Sequence, residues 1–329
     1  MSSSKITQYR IKFFSNFCEN SLCKINYENL CDAIGPLCNH IYGSNKSIYF
    51  VDENDKNYNH IIILNTAIPT DKELADIPKH CIIGLAFEPF EFLGLTPSFI
   101  DWAASHIGRY YIGEKKGIIL NHPTFFESFS YMWYSRPVHL TRKIMNPIMN
   151  PIKNPKNIMS IVFSKKNWTI NHQYRYKLVK EILSQKLPID IYGIGCDLIP
   201  SQTKSLYSNI KGSFSDAEPY ETYYFTIAIE NHCEPHYFSE KIMSPLLYEC
   251  KPIYLGCKNI HSYFNPNDVL LLKPIGPDIS DKMQNYQSNL SFIKQVLFNP
   301  KRFYENTMNT KENEQKINII HNIHHLFTF

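Results

Sequence analysis

A parallel α/β chain made of two units of similar size is the fold class this sequence predicts. Three observations carry that expectation. Short apolar runs such as His60-Ile-Ile-Ile-Leu64 and Cys81-Ile-Ile-Gly-Leu-Ala-Phe87 have strand length and no polar face, as strands covered on both sides of a sheet do. They alternate with amphipathic, helix-length segments. Between residues 145 and 156 the alternation stops at three Asn-Pro steps, ending at Pro147, Pro151 and Pro155. Each Pro removes a backbone donor and pushes the Asn before it out of helical space.

Taken in order, Tyr9–Phe14, Ser47–Val51 and His60–Leu64 read as strands of the first unit. Thr70-Asp-Lys-Glu73 has the spacing of a capped helix start. Cys81–Phe87 is a further buried strand, Ser98–His106 a helix and Arg109–Ile112 a short strand. The Asn-Pro segment reads as a semi-rigid connector, so the expected division is residues 1–144, a linker at 145–157, and a second unit at 158–310. In that unit Met159–Phe163 reads as a strand. His172–Gln185 is an amphipathic helix with Tyr174, Leu178, Ile182 and Leu183 on one face. Strands follow at Ile189–Tyr192 and Tyr223–Ile229, then a helix at Ser239–Glu249 and strands at Pro252–Leu255 and Val269–Leu272. Two helices close the chain, near Ser280–Leu297 and Lys311–Phe327, with residues 311–329 expected as a C-terminal helix.

Composition removes several function classes. The 329 residues are 43% hydrophobic, too many for a disordered chain. The net charge is only +4 and no basic run occurs, which argues against a dedicated nucleic-acid binder. The surplus has a place, however. Residues 1–150 hold 14 basic and 14 acidic side chains, so the whole excess lies in residues 151–329, the better half for an anion site. The N-terminus is polar and no apolar run reaches membrane-spanning length. Nine cysteines contain no Cys-x-x-Cys pair, which suits reduced thiols in a cytosolic protein better than a metal ribbon. Asn45, Asn167 and Asn289 open glycosylation triplets, read as chance matches without a secretion signal.

Glycine and acidic motifs exclude further mechanisms. Gly193-Ile-Gly195 follows a strand, but Leu198 stands where a dinucleotide fingerprint needs its third glycine. Gly193 remains a candidate for a tight turn beside a ligand. No P-loop and no Asp-x-Asp pair is present, which weakens a divalent ion bridging carboxylates and a pyrophosphate.

The informative stretch runs from Tyr223 to Lys241. A buried strand ends in Glu230-Asn231, a short loop follows, and Ser239 is placed to cap a helix whose first turn carries Glu240 and Lys241. Lys at a helix N-terminus opposes the dipole. Either it projects toward an anion also held by the helix amides, or it is a surface lysine paired with a carboxylate.

Glu230-Asn231, five residues, Tyr237-Phe-Ser-Glu240-Lys241, then Pro252-Ile-Tyr-Leu-Gly256 and Phe264-Asn-Pro266 resemble the signature of glycosyltransferase family 10, the α-1,3/α-1,4-fucosyltransferases. The likeness covers residues 159–272 well and the first half loosely. It implies a GT-B fold, two Rossmann-like domains facing a central cleft, with a nucleotide-sugar donor held mainly by the second. It implies transfer of fucose from GDP-fucose to a hydroxyl of a glycan acceptor, with inversion and with no metal or other cofactor. Glu230, Asn231, Tyr237, Glu240 and Lys241 match the donor-site signature, and Arg175 looks like the donor-phosphate arginine. The base should come from the first domain, where Glu88, ending the Cys81–Phe87 strand, has the expected shape; Glu91 is its competitor. Apolar surroundings would raise the pKa of such a Glu, as suits a base. Cys233, Pro235 and His236 in the signature loop, and Asn267-Asp268 after Phe264-Asn-Pro266, depart from the family pattern. The expected partners are a nucleotide sugar and a glycan, not a nucleic acid or a membrane. With no anchor read, the chain resembles soluble bacterial or viral members.

Overall fold

The structure is a computed structural model that describes residues 8–34, 41–43, 45–129, 157–215, 217–275, 279–304, 316 and 318–328. The Asn-Pro connector lies outside them. The chain divides into two compact units: Met1–Pro147 together with Glu314–Phe329, and Ile148–Asn313.

The first unit holds a six-stranded sheet in the order β2-β1-β3-β4-β5-β6. Its strands are β1 (Tyr9–Ser15), β2 (Ile48–Phe50), β3 (His60–Leu64), β4 (Ile82–Leu85), β5 (Arg109–Ile112) and β6 (Phe125–Glu127), and every neighbouring pair is parallel. All five residues of β3 are buried, which is why its run shows no alternation. Helices α1 (Asn20–Ile34) and α2 (Pro97–His106) belong to this unit. α2 starts one residue earlier than its apolar pattern suggests, because Pro97 at the first helical position is pre-set for the turn and the Thr96 hydroxyl accepts from the Phe99 amide.

The second unit repeats the plan in the order β12-β11-β10-β7-β8-β9. These strands are β7 (Met159–Val162), β8 (Asp190–Tyr192), β9 (Ile210–Gly212), β10 (Phe225–Ile229), β11 (Lys251–Leu255) and β12 (Leu270–Leu271), again all parallel. Its main helices are α3 (Ile170–Ser184), α4 (Glu240–Leu247) and α5 (Ile279–Phe298). Tyr174, Leu178, Ile182 and Leu183 of α3 enter one core with β7, β8, β10 and α5, as their spacing requires.

The last helix, α6 (Ile319–Phe327), belongs to the first unit. Ile319, Ile320, Ile323, Leu326 and Phe327 are buried in one cluster with Ile11, Phe13, Ile62 and Leu85 of the first unit. The Tyr111 hydroxyl donates to the Leu326 carbonyl at 3.1 Å, and the Tyr9 hydroxyl lies 2.7 Å from His324 Nδ1. The chain leaves the first sheet, builds the second, and returns to cover the first. Among the described residues no helix is long and apolar enough to cross a membrane.

Leu326, fully buried, tests that return. Leu326→Ala should cost about 2–5 kcal/mol, read as a lower urea midpoint for the transition of the first unit. An unchanged midpoint would mean that α6 adds nothing to its core.

Candidate functional site

In the second sheet the strand order reverses between β7 and β10. From β7 the chain steps outward to β8 and β9, then returns to the other side of β7 for β10. The loops after β7 and β10 must therefore diverge, and an open α/β sheet binds ligands at that point, beyond the strand carboxyl ends. The loop after β7 leads into α3, which carries Arg175. The loop after β10 carries Glu230 and Asn231 and leads into α4, which opens with Glu240 and Lys241. Topology alone thus brings the signature residues and Arg175 to one place.

The Glu230 carboxylate organises that place. It is fully buried and touches both halves of the helix cap. Oε1 accepts from the Ser239 amide at 2.8 Å and Oε2 from the Ser239 hydroxyl at 2.6 Å. Lys241 Nζ stands 3.6 Å from Oε2, and donates to Ser239 Oγ at 3.0 Å and Glu240 Oε1 at 2.8 Å. Burial raises the Glu230 pKa above the ordinary carboxylate value, against the pull of Lys241 and Ser239. Burial also opposes the charge on Lys241, but the carboxylates of Glu240 and Glu230 outweigh it and hold its pKa above the ordinary lysine value. Lys241 is therefore anchored between two carboxylates.

The match at Gly256 now has a physical reason. A Cβ there would lie 2.4 Å from Glu230 Cγ and 2.4 Å from the Tyr254 hydroxyl. Only glycine lets β11 end against the buried carboxylate. Phe264 has its own reason, since its ring lies 5.3 Å from that of Phe238, next to buried Tyr237 in the loop. Asn265 then caps the short turn Pro266–Asp268 by accepting from the Asn267 amide.

Arg175 is 6% exposed, and its Nη2 donates to Asn231 Oδ1 at 2.8 Å. Burial lowers its pKa, and the charges of Glu230 and Glu240 work against that. A guanidinium has five N–H donors, so this bond leaves most of its donor capacity for an anion. One turn earlier on α3 lies His172, 3% exposed and not foreseen from the sequence. With Thr169 it closes a capping box at the start of α3. Burial first, then the cations Arg175, Lys166 and Lys241, push its pKa down to about 4. Asn171, also buried, donates to the Glu230 carbonyl at 2.9 Å and to Cys233 Sγ at 3.1 Å. Cys233 thus has a structural partner. So does His236: it adopts φ 64°, its amide donates to Asn259 Oδ1 at 2.7 Å, and its ring bonds the Tyr263 hydroxyl. A lone His or Asn on an amphipathic helix gives no periodic signal; only the Thr169–His172 spacing hinted at a cap.

Gly193 follows β8 with φ 103°, and a Cβ there would strike the Phe163 carbonyl at 2.2 Å. Gly195 packs in the same way on the Phe163 ring. Close backbone packing accounts for both glycines.

In the first unit Glu88 lies three residues beyond β4 and is exposed. Its loop is pinned from below. Asn65, with φ 52°, accepts from the Phe87 amide at 2.8 Å through Oδ1, and its carbonyl accepts from the buried Tyr110 hydroxyl at 2.7 Å. Gly84 leaves the room that the Tyr110 ring fills. Glu91, on the short helix Phe90–Leu93, pairs with Lys116.

This architecture, two parallel α/β units, is the GT-B fold. Residues 153–271 match the sequence model of glycosyltransferase family 10 (fucosyltransferase), C-terminal part. Over 123 residues the chain is 24% identical to a protein of Acanthamoeba polyphaga mimivirus named as a putative fucosyltransferase. That stretch covers 36% of this chain and spans only 20% of the viral protein. A crystal structure of an α1,3-fucosyltransferase superposes with a TM-score of 0.55 at 16% identity, covering 99% of this chain and 91% of the other. Another, with GDP-fucose, gives 0.52 at 14% identity, covering 100% and 93%. An α-glucosyltransferase in complex with UDP-glucose and DNA gives 0.51 at 10% identity, covering 94% and 96%. At these identities the superpositions establish the fold.

Two tests follow from the geometry. Gly256→Ala should destabilise the second unit by about 1–3 kcal/mol, because Glu230 must move; a melting temperature equal to wild type would show that the carboxylate is not confined. The second test uses pH. An unfolded histidine titrates near 6.5, but folded His172 titrates at about 4, so the unfolded chain takes up the proton first. His172 therefore adds stability that is complete above about pH 6.5 and is lost as pH falls toward about 4. Between pH 7 and pH 5, wild type should lose more stability in urea than His172→Asn, which keeps the cap acceptor and removes the titration. Equal losses would mean that His172 is not held neutral.

Proposed function

We propose that this chain is an inverting, metal-independent glycosyltransferase that moves fucose from GDP-fucose to a hydroxyl of a glycan acceptor. The observation that carries the proposal is the grouping of Arg175, Asn231 and Lys241 at the switch point, within the stretch that matches family 10.

The reaction asks two things of the protein. As the bond from the sugar to GDP breaks, negative charge grows on the diphosphate. Arg175 and Lys241 supply positive charge held in place before the reaction, and preorganised charge in a desolvated site is the strongest form of electrostatic catalysis. A buried guanidinium takes two phosphate oxygens at once. The second requirement is a base for the acceptor hydroxyl. Glu88 is our candidate, because its loop is fixed through Asn65 and Tyr110 while its side chain is exposed. In a single displacement it takes the hydroxyl proton as the acceptor oxygen bonds to the sugar carbon, and the pair of electrons of the broken bond leaves with GDP. The described cysteines are free thiols, which fits a reducing, cytosolic setting.

Calorimetry with GDP in EDTA should show binding. Arg175→Ala and Lys241→Ala should each weaken it by about tenfold or more, the size expected for a charge-assisted contact; unchanged affinity in both would remove the donor site. Glu88→Gln should bind GDP as wild type does and lose transfer by about 10²–10⁴-fold. Retained transfer would place the base elsewhere. The superposition with a UDP-glucose enzyme favours a second donor reading, so the screen should include UDP-sugars; transfer from these and none from GDP-fucose would establish it. GDP binding without transfer to any acceptor of a glycan array would indicate a binding protein instead.

A further inference from the structure

Two cysteines of the first unit face each other across the start of α1. The sulfurs of Cys18 and Cys23 stand 3.2 Å apart, one thiol donating to the other. That is closer than the roughly 3.5–4.0 Å at which carbon atoms rest in contact, although sulfur is the larger atom. The Glu19 carbonyl accepts from the Cys23 amide at 3.2 Å, so Glu19 caps the helix. Cys18 then holds the position just before the cap, and Cys23 the fourth position after it. An apolar pair at those two positions packs together and fixes how the chain enters a helix. Two leucines would serve that purpose, whereas two thiols can also be joined.

Both thiols are held in place. Cys23 is fully buried and belongs to the cluster of Phe13, Tyr27 and Phe50, so it cannot turn away without opening that core. Cys18 is half-buried, and its segment is fixed at three points. The Ser15 amide donates to Asn20 Oδ1 at 2.9 Å, Asn16 Nδ2 donates to Thr66 Oγ1 at 2.7 Å, and the Phe17 ring packs edge-on against Phe87 at 6.2 Å. Cys18 Sγ itself donates to Ser15 Oγ at 3.5 Å, which leaves Cys23 as the donor within the pair. Burial first, then the neighbouring Cys18, push the pKa of the Cys23 thiol up. Cys18 is therefore the sulfur that a reagent in solvent meets first.

We propose that Cys18 and Cys23 form a redox-active dithiol, which a low-molecular-weight disulfide converts to an intramolecular disulfide. The Cys18 thiolate attacks one sulfur of the external disulfide. A mixed disulfide forms, the external S–S bond breaks, and one small thiol leaves with the proton that Cys18 gave up. Cys23 Sγ then bonds to Cys18 Sγ and expels the second small thiol, which carries the Cys23 proton. Two protein sulfurs are oxidised and two external sulfurs are reduced. Part of what holds the proton on Cys23 is the charge of Cys18, and that part vanishes once Cys18 carries the mixed disulfide. A movement of roughly 1 Å brings the sulfurs to the bonded distance of about 2.05 Å. Because the fold already holds the two together, ring closure costs less chain entropy in the native protein than in the unfolded chain.

Trypsin isolates the pair, because the fragment Phe13–Lys24 contains both cysteines and no other. The native protein is equilibrated with mixtures of oxidised and reduced glutathione, quenched in acid, alkylated and digested. Phe13–Lys24 should lose two hydrogens and take up no alkylating agent. Half-oxidation of the native protein should need a glutathione mixture at least about tenfold more reducing than the urea-unfolded chain needs, as a ring favoured by the fold requires. In Cys23→Ser, Cys18 should keep one glutathione, whereas wild type should keep none. The wild-type titration decides the matter even if that variant fails to fold. Alkylation of both thiols after native oxidation, a glutathione retained on wild-type Cys18, or equal mixtures for native and unfolded chains would overturn the inference.

Discussion

A buried carboxylate with no exposed atom to spare is what the second unit is arranged around. Glu230 would be costly to bury alone, because an unpaired charge loses its hydration and gains little in return. The fold offsets that cost with the Ser239 amide, the Ser239 hydroxyl and the Lys241 ammonium. Each partner is fixed by a different constraint. Ser239 must cap α4, Lys241 must fall in its first turn, and Gly256 must follow β11 so that nothing displaces the carboxylate. One interaction therefore links the end of β10, the start of α4 and the end of β11. Lys241 is held where it opposes the helix dipole because two carboxylates more than repay that repulsion.

The same interaction sets the character of the site. Lys241 is fully partnered by Glu230, Glu240 and Ser239, whereas among the described residues Arg175 is hydrogen-bonded through one nitrogen to Asn231. His172 is held neutral by burial first and by the surrounding cations second, and with Nδ1 accepting from the Thr169 amide its ring proton sits on Nε2.

Much of this was legible in the sequence. The fully apolar runs marked β3, β4 and β10 because central parallel strands are buried on both faces. Glu230, Ser239, Lys241 and Gly256 stood in a fixed spacing because one carboxylate ties them together. What was missed falls into two kinds. β6 and β9 are three-residue edge strands, too short to show a period, and α1 has only a weak apolar stripe. The place of the terminal helix was not legible because local pattern cannot say which core an amphipathic helix will join; α6 packs with Ile11 and Phe13, some three hundred residues earlier in the chain. Asn65, Asn171 and His172 were invisible for a related reason. Each acts through contacts distant in sequence or through a single polar atom, and neither leaves a pattern.

The departures in the signature loop argue that spacing and chemistry are separable there. Cys233 and His236 do not fit the family pattern, yet each is tied to the scaffold, Cys233 to Asn171 and His236 to Asn259 and Tyr263. His236 even occupies the left-handed region that favours glycine. The loop between Asn231 and Tyr237 must therefore be held at a set length and curvature, and the side chains that hold it can change. What cannot change without moving Glu230 is the pair at its ends: the strand terminus that buries the carboxylate, and the cap that receives it. The structure places its constraint on two points and its freedom between them, which is why the match runs through widely spaced residues and not through the loop itself.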